Sequence, residues 1–121
     1  MKCIKPYSSL KNIDKVNTLD RIHLMEQFFE LNGDLFVWDL DKAETNWRKH
    51  GVRFEEAATV FGDPLFILVD ASRDEETRDA AIDSDTAERL LYVVHIEFYE
   101  SHIRIISARR AEADEVQRYD Y

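Results

Sequence analysis

The chain has 121 residues, of which 45% are hydrophobic and 12% aromatic, and its formal net charge is −9. This length fits one domain, which is large enough to fold without cross-links. The single cysteine, Cys3, excludes an intramolecular disulfide and a zinc site built from several cysteines. Because no apolar stretch reaches the roughly 20 residues that cross a bilayer and no secretory signal is recognisable, we expect a cytoplasmic protein without a membrane partner.

The negative charge is concentrated in one segment. Residues 70–88 contain two Lys/Arg and eight Asp/Glu, which is two-thirds of the excess. Lys and Arg drive phosphate binding, so an acidic protein is ordinarily a poor partner for nucleic acid. The rest of the chain includes an Arg-rich stretch near the C terminus and can still present a local basic patch.

The first 34 residues are predicted to form an arm and an extra helix, separate from a domain over residues 35–121. Residues 1–17 have no sustained hydrophobic period. Thr18 is a suitable helix N-cap, and Asn32-Gly33 is a suitable stop. Between them runs an apolar stripe at helical spacing, formed by Ile22, Met25, Phe28 and Phe29.

The domain is predicted to begin with a buried strand over 35–38 and a helix over 41–50. Asp41 is the expected N-cap of this helix, Glu44 completes a capping box, and Gly51 is the C-terminal cap. The remaining pattern predicts a short helix over 54–61, a strand over 65–69, a weak strand within 77–82, strong strands over 89–98 and 102–108, and a helix over 111–119.

Adjacent strands late in the chain favour an antiparallel sheet with helices packed on one face, so we predict an α+β domain. Within the last strand, alternation places Ile103 and Ile105 on one face and Arg104 on the other.

Few residue patterns point directly to chemistry. The three glycines lie too far apart for a phosphate loop or a dinucleotide fingerprint, and the four histidines lack metal-ligand spacing, so we expect neither cofactor nor metal. His95, inside an apolar strand, is interpreted as a hydrogen-bonded structural residue. His50 lies at a helix end, where it can transfer protons near neutral pH or simply cap the helix.

An arginine cluster near the C terminus is the other candidate. Arg104, Arg109 and Arg110 lie in or just after the last strand, and guanidinium groups at a sheet edge can clamp a phosphate. Salt bridges to the many carboxylates are the simpler explanation of the cluster, and the residues alone favour it. Glu55, at the start of a helix, suits the helix dipole without any catalytic role.

Two separated blocks of residues resemble a known family signature. The first block comprises Trp38-Asp39, Lys42, Asn46, Arg48 to Val52, Phe54 to Ala57, Val60-Phe61 and Asp63-Pro64. The second comprises Arg89 to Leu91, His95, Arg104 to Ala111, Glu115 and Tyr119. Both are similar to the BrnT toxin family, in the same order and over about residues 35–121.

The resemblance implies a ribonuclease toxin of a bacterial type II toxin-antitoxin pair, with a RelE-like α+β fold and no metal. It also implies a BrnA-type antitoxin as partner, and operator DNA contacted only through that antitoxin. In metal-free RNA scission the 2′-hydroxyl attacks the adjacent phosphate, so the site needs a base, an acid and positive charge. The matching positions are His50 or Glu55 for proton transfer, Lys49, Arg104 and Arg109 for phosphate stabilisation, and Tyr119 for stacking or orientation.

The nuclease hypothesis depends on Arg104 and Arg109 converging with Lys49 and His50 in one pocket. The alternative hypothesis is a non-catalytic protein-binding module with the same fold and the same antitoxin contacts. If the arginines lie on the far face of the sheet from Lys49 and His50, or if carboxylates engage both, the nuclease hypothesis is rejected and only the binding module remains.

Three features depart from the family pattern. Arg53 stands where the family usually has Ser, so the following helix is expected to start differently. Asp83 and Glu88 replace glycines of the central hairpin, which predicts looser turns. The acidic excess of this hairpin would repel RNA, so we expect the hairpin to point away from the site or the copy to be weakened.

Overall fold

The computed structural model describes residues 25–99 and 101–120. The elements are β1 (Glu26–Leu31), β2 (Asp34–Asp39), α1 (Leu40–His50), α2 (Phe54–Ala58), a 3-10 turn (Thr59–Gly62), β3 (Ile67–Asp70), β4 (Asp79–Ser84), β5 (Leu90–Phe98), β6 (His102–Arg110) and α3 (Ala113–Asp120). The six strands form one sheet in the order β1-β2-β6-β5-β4-β3. The predicted α+β class is therefore confirmed.

The sheet is antiparallel, as predicted, except at one junction. Strand β2 runs parallel to β6, while the other neighbouring pairs are antiparallel. The predicted helix over 54–61 corresponds to α2 together with the 3-10 turn, and from there onward the predicted boundaries differ from the observed ones by no more than two residues. None of the helices in residues 25–99 and 101–120 is long and apolar enough to cross a membrane.

The prediction of a helix up to residue 31 is wrong over residues 26–31, which form β1. Asn32 and Gly33 have φ angles of 53° and 89°, a left-handed pair typical of a two-residue hairpin turn. The turn pairs β1 with β2, so local helical spacing gives way to hydrogen bonding along a strand that needs a neighbour. The arm and the first half of the predicted helix lie outside the described residues.

Helix α1 begins one residue earlier than predicted. Its N-cap is Asp39, whose Oδ1 accepts hydrogen bonds from the N–H groups of Asp41 (2.7 Å) and Lys42 (3.1 Å). The predicted capping box of Asp41 and Glu44 is therefore wrong, because a carboxylate two residues upstream already satisfies the first amides. Gly51 is confirmed as the C-terminal cap, with φ of 68° and its N–H donating to Trp47 O.

Helices α1 and α2 cover one face of the sheet and form the core. Trp38 packs edge-on against Phe54 of α2 at 5.6 Å between ring centroids. Ile103 and Ile105 are buried in this core, as alternation predicts. The other core residues from the strands include Phe36, Leu91, Val93 and Ala108, and those from the covering segment include Val52, Ala57, Ala58 and Val60.

The side chain of Asn46 hydrogen-bonds to the part of β6 that β2 does not reach. Strand β2 pairs with β6 only as far as Val37 and Arg104, and the chain then turns into α1. Asn46 of α1 lies beside the unpaired part of β6: its Nδ2 donates to Ala108 O (2.9 Å), and Ala108 N–H donates to its Oδ1 (3.0 Å). The same Nδ2 donates to Val52 O at 2.9 Å. This buried amide therefore satisfies backbone groups that would otherwise lack partners.

Replacing Asn46 with leucine removes these three hydrogen bonds. We expect the free energy of unfolding to fall by about 3 kcal/mol, because each buried polar group left unsatisfied costs roughly 1–3 kcal/mol. Urea denaturation measures the change. The matched control is Thr45→Ala, at an exposed neighbour on the same helix, with an expected effect within about 0.5 kcal/mol. A loss at Asn46 no larger than at Thr45 contradicts the proposed role.

Candidate functional site

Arg104 and Arg109 of β6 lie on the sheet face opposite α1 and α2. Ile105 and Ala108 both point into the core although three positions separate them. The ladder between β5 and β6 explains this, because His95 pairs with Ile105 and Val94 with Ser107, which leaves Ile106 unpaired. This bulge shifts the alternation, so Arg104 before it and Arg109 after it share the outer face.

The predicted single pocket of these arginines with Lys49 and His50 is therefore wrong. Lys49 and His50 belong to α1 on the core face, and the sheet separates that face from the guanidinium groups. The two groups of cations are nevertheless close to a common boundary, the open edge of β6.

Two adjoining cavities meet at this edge. The first, here called the edge groove, has a volume of about 260 Å³ between α1 and β6 and is lined by Asp41, Lys42, Thr45, Asn46, Lys49, His50, Ile106 and Ser107. The second, here called the arginine cavity, has a volume of about 450 Å³ and is lined by Ala71, Ser72, Arg73, Arg78, Tyr92, Val94, Ile106, Ser107 and Arg109. Ile106 and Ser107 line both cavities, so the cavities adjoin at these two residues.

Arg109 is held on several sides at the arginine cavity. Its Nη1 and Nη2 donate to the two carboxylate oxygens of Glu115 at 2.9 and 2.8 Å. Its guanidinium carbon lies 4.1 Å from the centroid of the Tyr92 ring, a cation–π contact. The ion pair raises the pKa of Arg109 and, through the same hydrogen bonds, lowers the pKa of Glu115. Both groups therefore stay charged around neutral pH.

Arg104 is engaged by β1. Its Nη2 donates to Glu26 Oε2 at 2.6 Å, in a partly buried ion pair. The simpler interpretation of the arginine cluster, salt bridges to carboxylates, therefore describes both Arg104 and Arg109. By contrast, Lys49 and Arg73 form no ion pair with any residue of the described part of the chain.

Glu55 and Tyr119 lie outside both cavities. Glu55 lines a separate groove with Trp47 and Arg53 on another side of α1. Tyr119 of α3 donates its hydroxyl hydrogen to Asp83 Oδ1 at 2.8 Å. The structure thus brings Lys49 together with His50, and Arg109 with Tyr92, and it does not place Glu55, Arg104 or Tyr119 in these cavities.

Two departures from the family pattern have structural consequences. Arg53 provides no side-chain acceptor, yet α2 still begins at Phe54, because the Arg53 N–H donates to Glu56 Oε1 at 2.8 Å. Glu88 adopts a φ of 64°, the left-handed conformation that favours glycine. The acidic segment does not point wholly away from the cavities, since its two arginines, Arg73 and Arg78, line one of them.

Asp83, the other replacement of a glycine, is buried beside a second carboxyl group. Its Oδ1 accepts hydrogen bonds from Ser84 N–H (2.6 Å) and the Tyr119 hydroxyl, while its buried Oδ2 has no hydrogen-bond partner within residues 25–99 and 101–120. Burial raises the pKa of Asp83, and the neighbouring Asp63 carboxyl adds to the increase. The folded protein therefore disfavours the ionised form of this side chain.

Two further groups that resemble ligand sites have structural explanations. His95 is buried, with Nδ1 3.1 Å from Val93 O and its ring edge-on to Phe61, which confirms the predicted structural role. Carboxylate oxygens of Glu112, Asp114 and Glu115 lie within 4.8 Å of one another. Both oxygens of Glu115 already accept from Arg109, so this cluster is explained by the ion pair.

The residues that sequence reasoning missed are those whose role depends on pairing between strands. Tyr92 reaches Arg109 because the two are directly opposite across β5 and β6. Arg73 and Arg78 were not recognised as candidate phosphate ligands because they lie in a segment whose net charge is strongly negative. A signal was available for Glu115, which belongs to the quoted signature, although nothing in the sequence indicates its partner.

The fold and its cavities define a small α+β protein with a cluster of arginines on the open face of its sheet. A family model described as the ribonuclease toxin BrnT of type II toxin-antitoxin systems matches residues 38–115. The chain therefore belongs to the BrnT family of ribonuclease toxins. It is also similar to the crystal structure of the Brucella abortus ribonuclease toxin BrnT, with 22% identity, a TM-score of 0.47, and coverage of 63% of this chain and 94% of that one. No curated protein matches the chain.

Replacing Asp83 with asparagine is expected to stabilise the protein, and the gain should grow with pH. Since its folded pKa is raised, the unfavourable charge is absent below the ordinary pKa and develops as the pH rises through the folded value. Asparagine keeps the acceptor for Ser84 and Tyr119 without the charge. Thermal melting of both proteins between about pH 4 and about pH 8 measures the difference.

The control for this experiment is Asp70→Asn. Asp70 is exposed, and hydrogen bonds from Ser72 lower its pKa, so its charge favours folding and its replacement should produce no gain. The assignment is rejected if the gain in melting temperature from Asp83→Asn shrinks as the pH rises. It is also rejected if Asp70→Asn raises the melting temperature by the same amount.

Proposed function

We propose that the protein is a metal-independent endoribonuclease toxin that a BrnA-type antitoxin neutralises. The single pocket on which the nuclease hypothesis first depended is absent, so the proposal for this member of the BrnT family has a different basis. The observation that carries it is the junction of the edge groove and the arginine cavity at Ile106 and Ser107. Cationic side chains line both cavities, as a single-stranded RNA backbone requires. The protein is acidic overall, but the attraction of a phosphate depends on the local charge.

The two cavities supply different parts of the chemistry. His50 in the edge groove accepts the proton of the attacking 2′-hydroxyl and returns it to the 5′-oxygen as the bond from phosphorus to that oxygen breaks, which leaves a 2′,3′-cyclic phosphate. Lys49 beside it forms no ion pair with a carboxylate of the described residues and stabilises the phosphorane charge. Arg109 in the arginine cavity binds a neighbouring phosphate of the same RNA and stabilises its negative charge. These side chains provide acid, base and positive charge themselves, which is why the proposal does not require a metal ion.

The other three assigned residues have less direct roles in this proposal. Arg104 reaches phosphate only when its contact with Glu26 opens, and Tyr119 orients α3 through its hydrogen bond with Asp83. Glu55 remains the alternative proton-transfer group, in its separate groove.

Alanine at Lys49, His50 or Arg109 is expected to lower kcat/KM for a single-stranded RNA by on the order of 10²- to 10³-fold, because each change removes a proton donor or a phosphate-stabilising charge. Cleavage of a labelled RNA by the purified variants measures this. The matched control is Arg48→Ala, which removes an exposed cation of the same helix that is paired with Glu44. If Arg48→Ala lowers kcat/KM as much as Lys49→Ala does, the loss results from the change in net charge alone, and the assignment is contradicted.

The same assignment applies in cells. Expression of the Arg104→Ala, Arg109→Ala double variant is expected to abolish growth arrest, because it removes the two arginines of β6 assigned to phosphate stabilisation and leaves only Arg110 in that strand. Immunoblotting establishes that the variant accumulates to the wild-type level. Undiminished toxicity of a folded double variant rejects the role of the arginines.

Metal independence and neutralisation can be measured in one assay. RNA cleavage is expected to continue in excess chelator and to stop when a BrnA-type antitoxin is added in equimolar amount. Cleavage that requires an added divalent cation contradicts the first part. Unchanged cleavage within a purified toxin-antitoxin complex contradicts the second.

A second candidate function is a non-catalytic module that binds the antitoxin. The observation that favours it is the occupation of Arg104 and Arg109 by the carboxylates of Glu26 and Glu115. Both candidates bind the antitoxin, so RNA cleavage separates them. A wild-type protein that binds antitoxin and cleaves no RNA supports the module.

A further inference from the structure

The guanidinium of Arg109 donates three hydrogen bonds to acceptors of the protein. Nη1 donates to Glu115 Oε1 and to Arg110 O (3.1 Å), and Nη2 donates once, to Glu115 Oε2. The Tyr92 ring covers one face of the group. Of its five N–H bonds, the Nε–H and the second Nη2–H have no hydrogen-bond partner among residues 25–99 and 101–120.

These two N–H bonds lie side by side along one edge of the guanidinium. Two parallel donors at this spacing match two oxygens of a phosphate, the bidentate geometry that distinguishes arginine from lysine. Arg109 also lines the arginine cavity, together with Arg73 and Arg78. The contacts of the side chain thus occupy its end and one face and leave a phosphate-binding edge available.

Glu115 is well suited to fix this orientation. It is buried, at 7% exposure, and its Oε1 also accepts the Glu112 N–H at 2.6 Å, which immobilises the carboxylate at the start of α3. Buried ion pairs add little net stability, because the desolvation of both charges offsets their attraction. Orientation is therefore a better explanation of this bidentate pair than stability.

We infer that Glu115 is a positioning residue that holds the guanidinium of Arg109 against Tyr92 so that its Nε/Nη2 edge binds a phosphate of the RNA. The inference rests on the proposed ribonuclease function. Glu115 itself does not contact the substrate, and it affects the reaction only by orienting the guanidinium of Arg109.

The experiment is a double-mutant cycle on RNA cleavage with Glu115→Gln, Arg109→Ala and the combined variant. Glutamine keeps the size of the side chain but accepts only one of the two hydrogen bonds, so we expect kcat to fall about tenfold or more with little change in KM, as misplaced catalytic groups do. In the Arg109→Ala background the same change should have no further effect. The matched control is Asp114→Asn, at an exposed carboxylate in the same turn that forms no ion pair with Arg109.

Thermal melting reports whether each variant is folded. Should Glu115→Gln unfold, Glu115→Asp replaces it: aspartate keeps the charge but is too short to accept both hydrogen bonds, and the same loss of kcat is expected. Wild-type cleavage by a folded Glu115 variant overturns the inference. So does a further loss in the Arg109→Ala background, which indicates a purely structural role, or faster cleavage, which means that the carboxylate competes with phosphate.

These results are distinguishable from a failure of the proposed function. If the wild-type protein cleaves no RNA, both the ribonuclease proposal and the role of Glu115 are rejected. If the wild-type protein and Asp114→Asn cleave normally and the cycle is additive, only the role of Glu115 is rejected.

Discussion

Beyond Arg104, none of the described strands lies beside β6 on one side, and the buried backbone groups of β6 must still be hydrogen-bonded. Asn46 meets this requirement by bonding to both the N–H and the C=O of Ala108. The interaction anchors α1 against the open edge, and the edge groove exists because a helix instead of a strand lies there. The positions of Lys49 and His50, on the following turn of α1, depend on this anchor.

Charge in this protein is arranged locally. A net charge of −9 argues against a nucleic-acid partner, yet cations line two cavities that meet at one edge. Carboxylates pair with Arg104 and Arg109, and two N–H bonds of Arg109 still have no acceptor in the part of the chain that the structure describes. An arginine that forms an ion pair is therefore not excluded from binding phosphate, because its five N–H bonds point in different directions. Whether such an arginine can bind phosphate depends on which of its N–H bonds the ion pair leaves available.

Much of the fold was predictable, because local patterns dominate in those segments. The alternation at Ile103 and Ile105, the helix ending at Gly51 and the late antiparallel strands are confirmed. The segment 26–31 was not predictable in the same way, since its apolar spacing fits a helix and its pairing with β2 makes it a strand. The candidate site was predictable as a set of residue types and only partly as an arrangement, because strict alternation places Arg104 and Arg109 on opposite faces.

The amino-acid sequence by itself determined the α+β class and the BrnT resemblance, because both rest on hydrophobic periodicity and on residue identity at fixed spacing along the chain. Only the tertiary structure decided which cations share a surface. The bulge that leaves Ile106 unpaired brings Arg104 and Arg109 to one face, and the pairing of β5 with β6 sets Tyr92 beneath Arg109. The physical reason is that bulges and register are settled by hydrogen bonding between strands distant in sequence, so no local pattern records them.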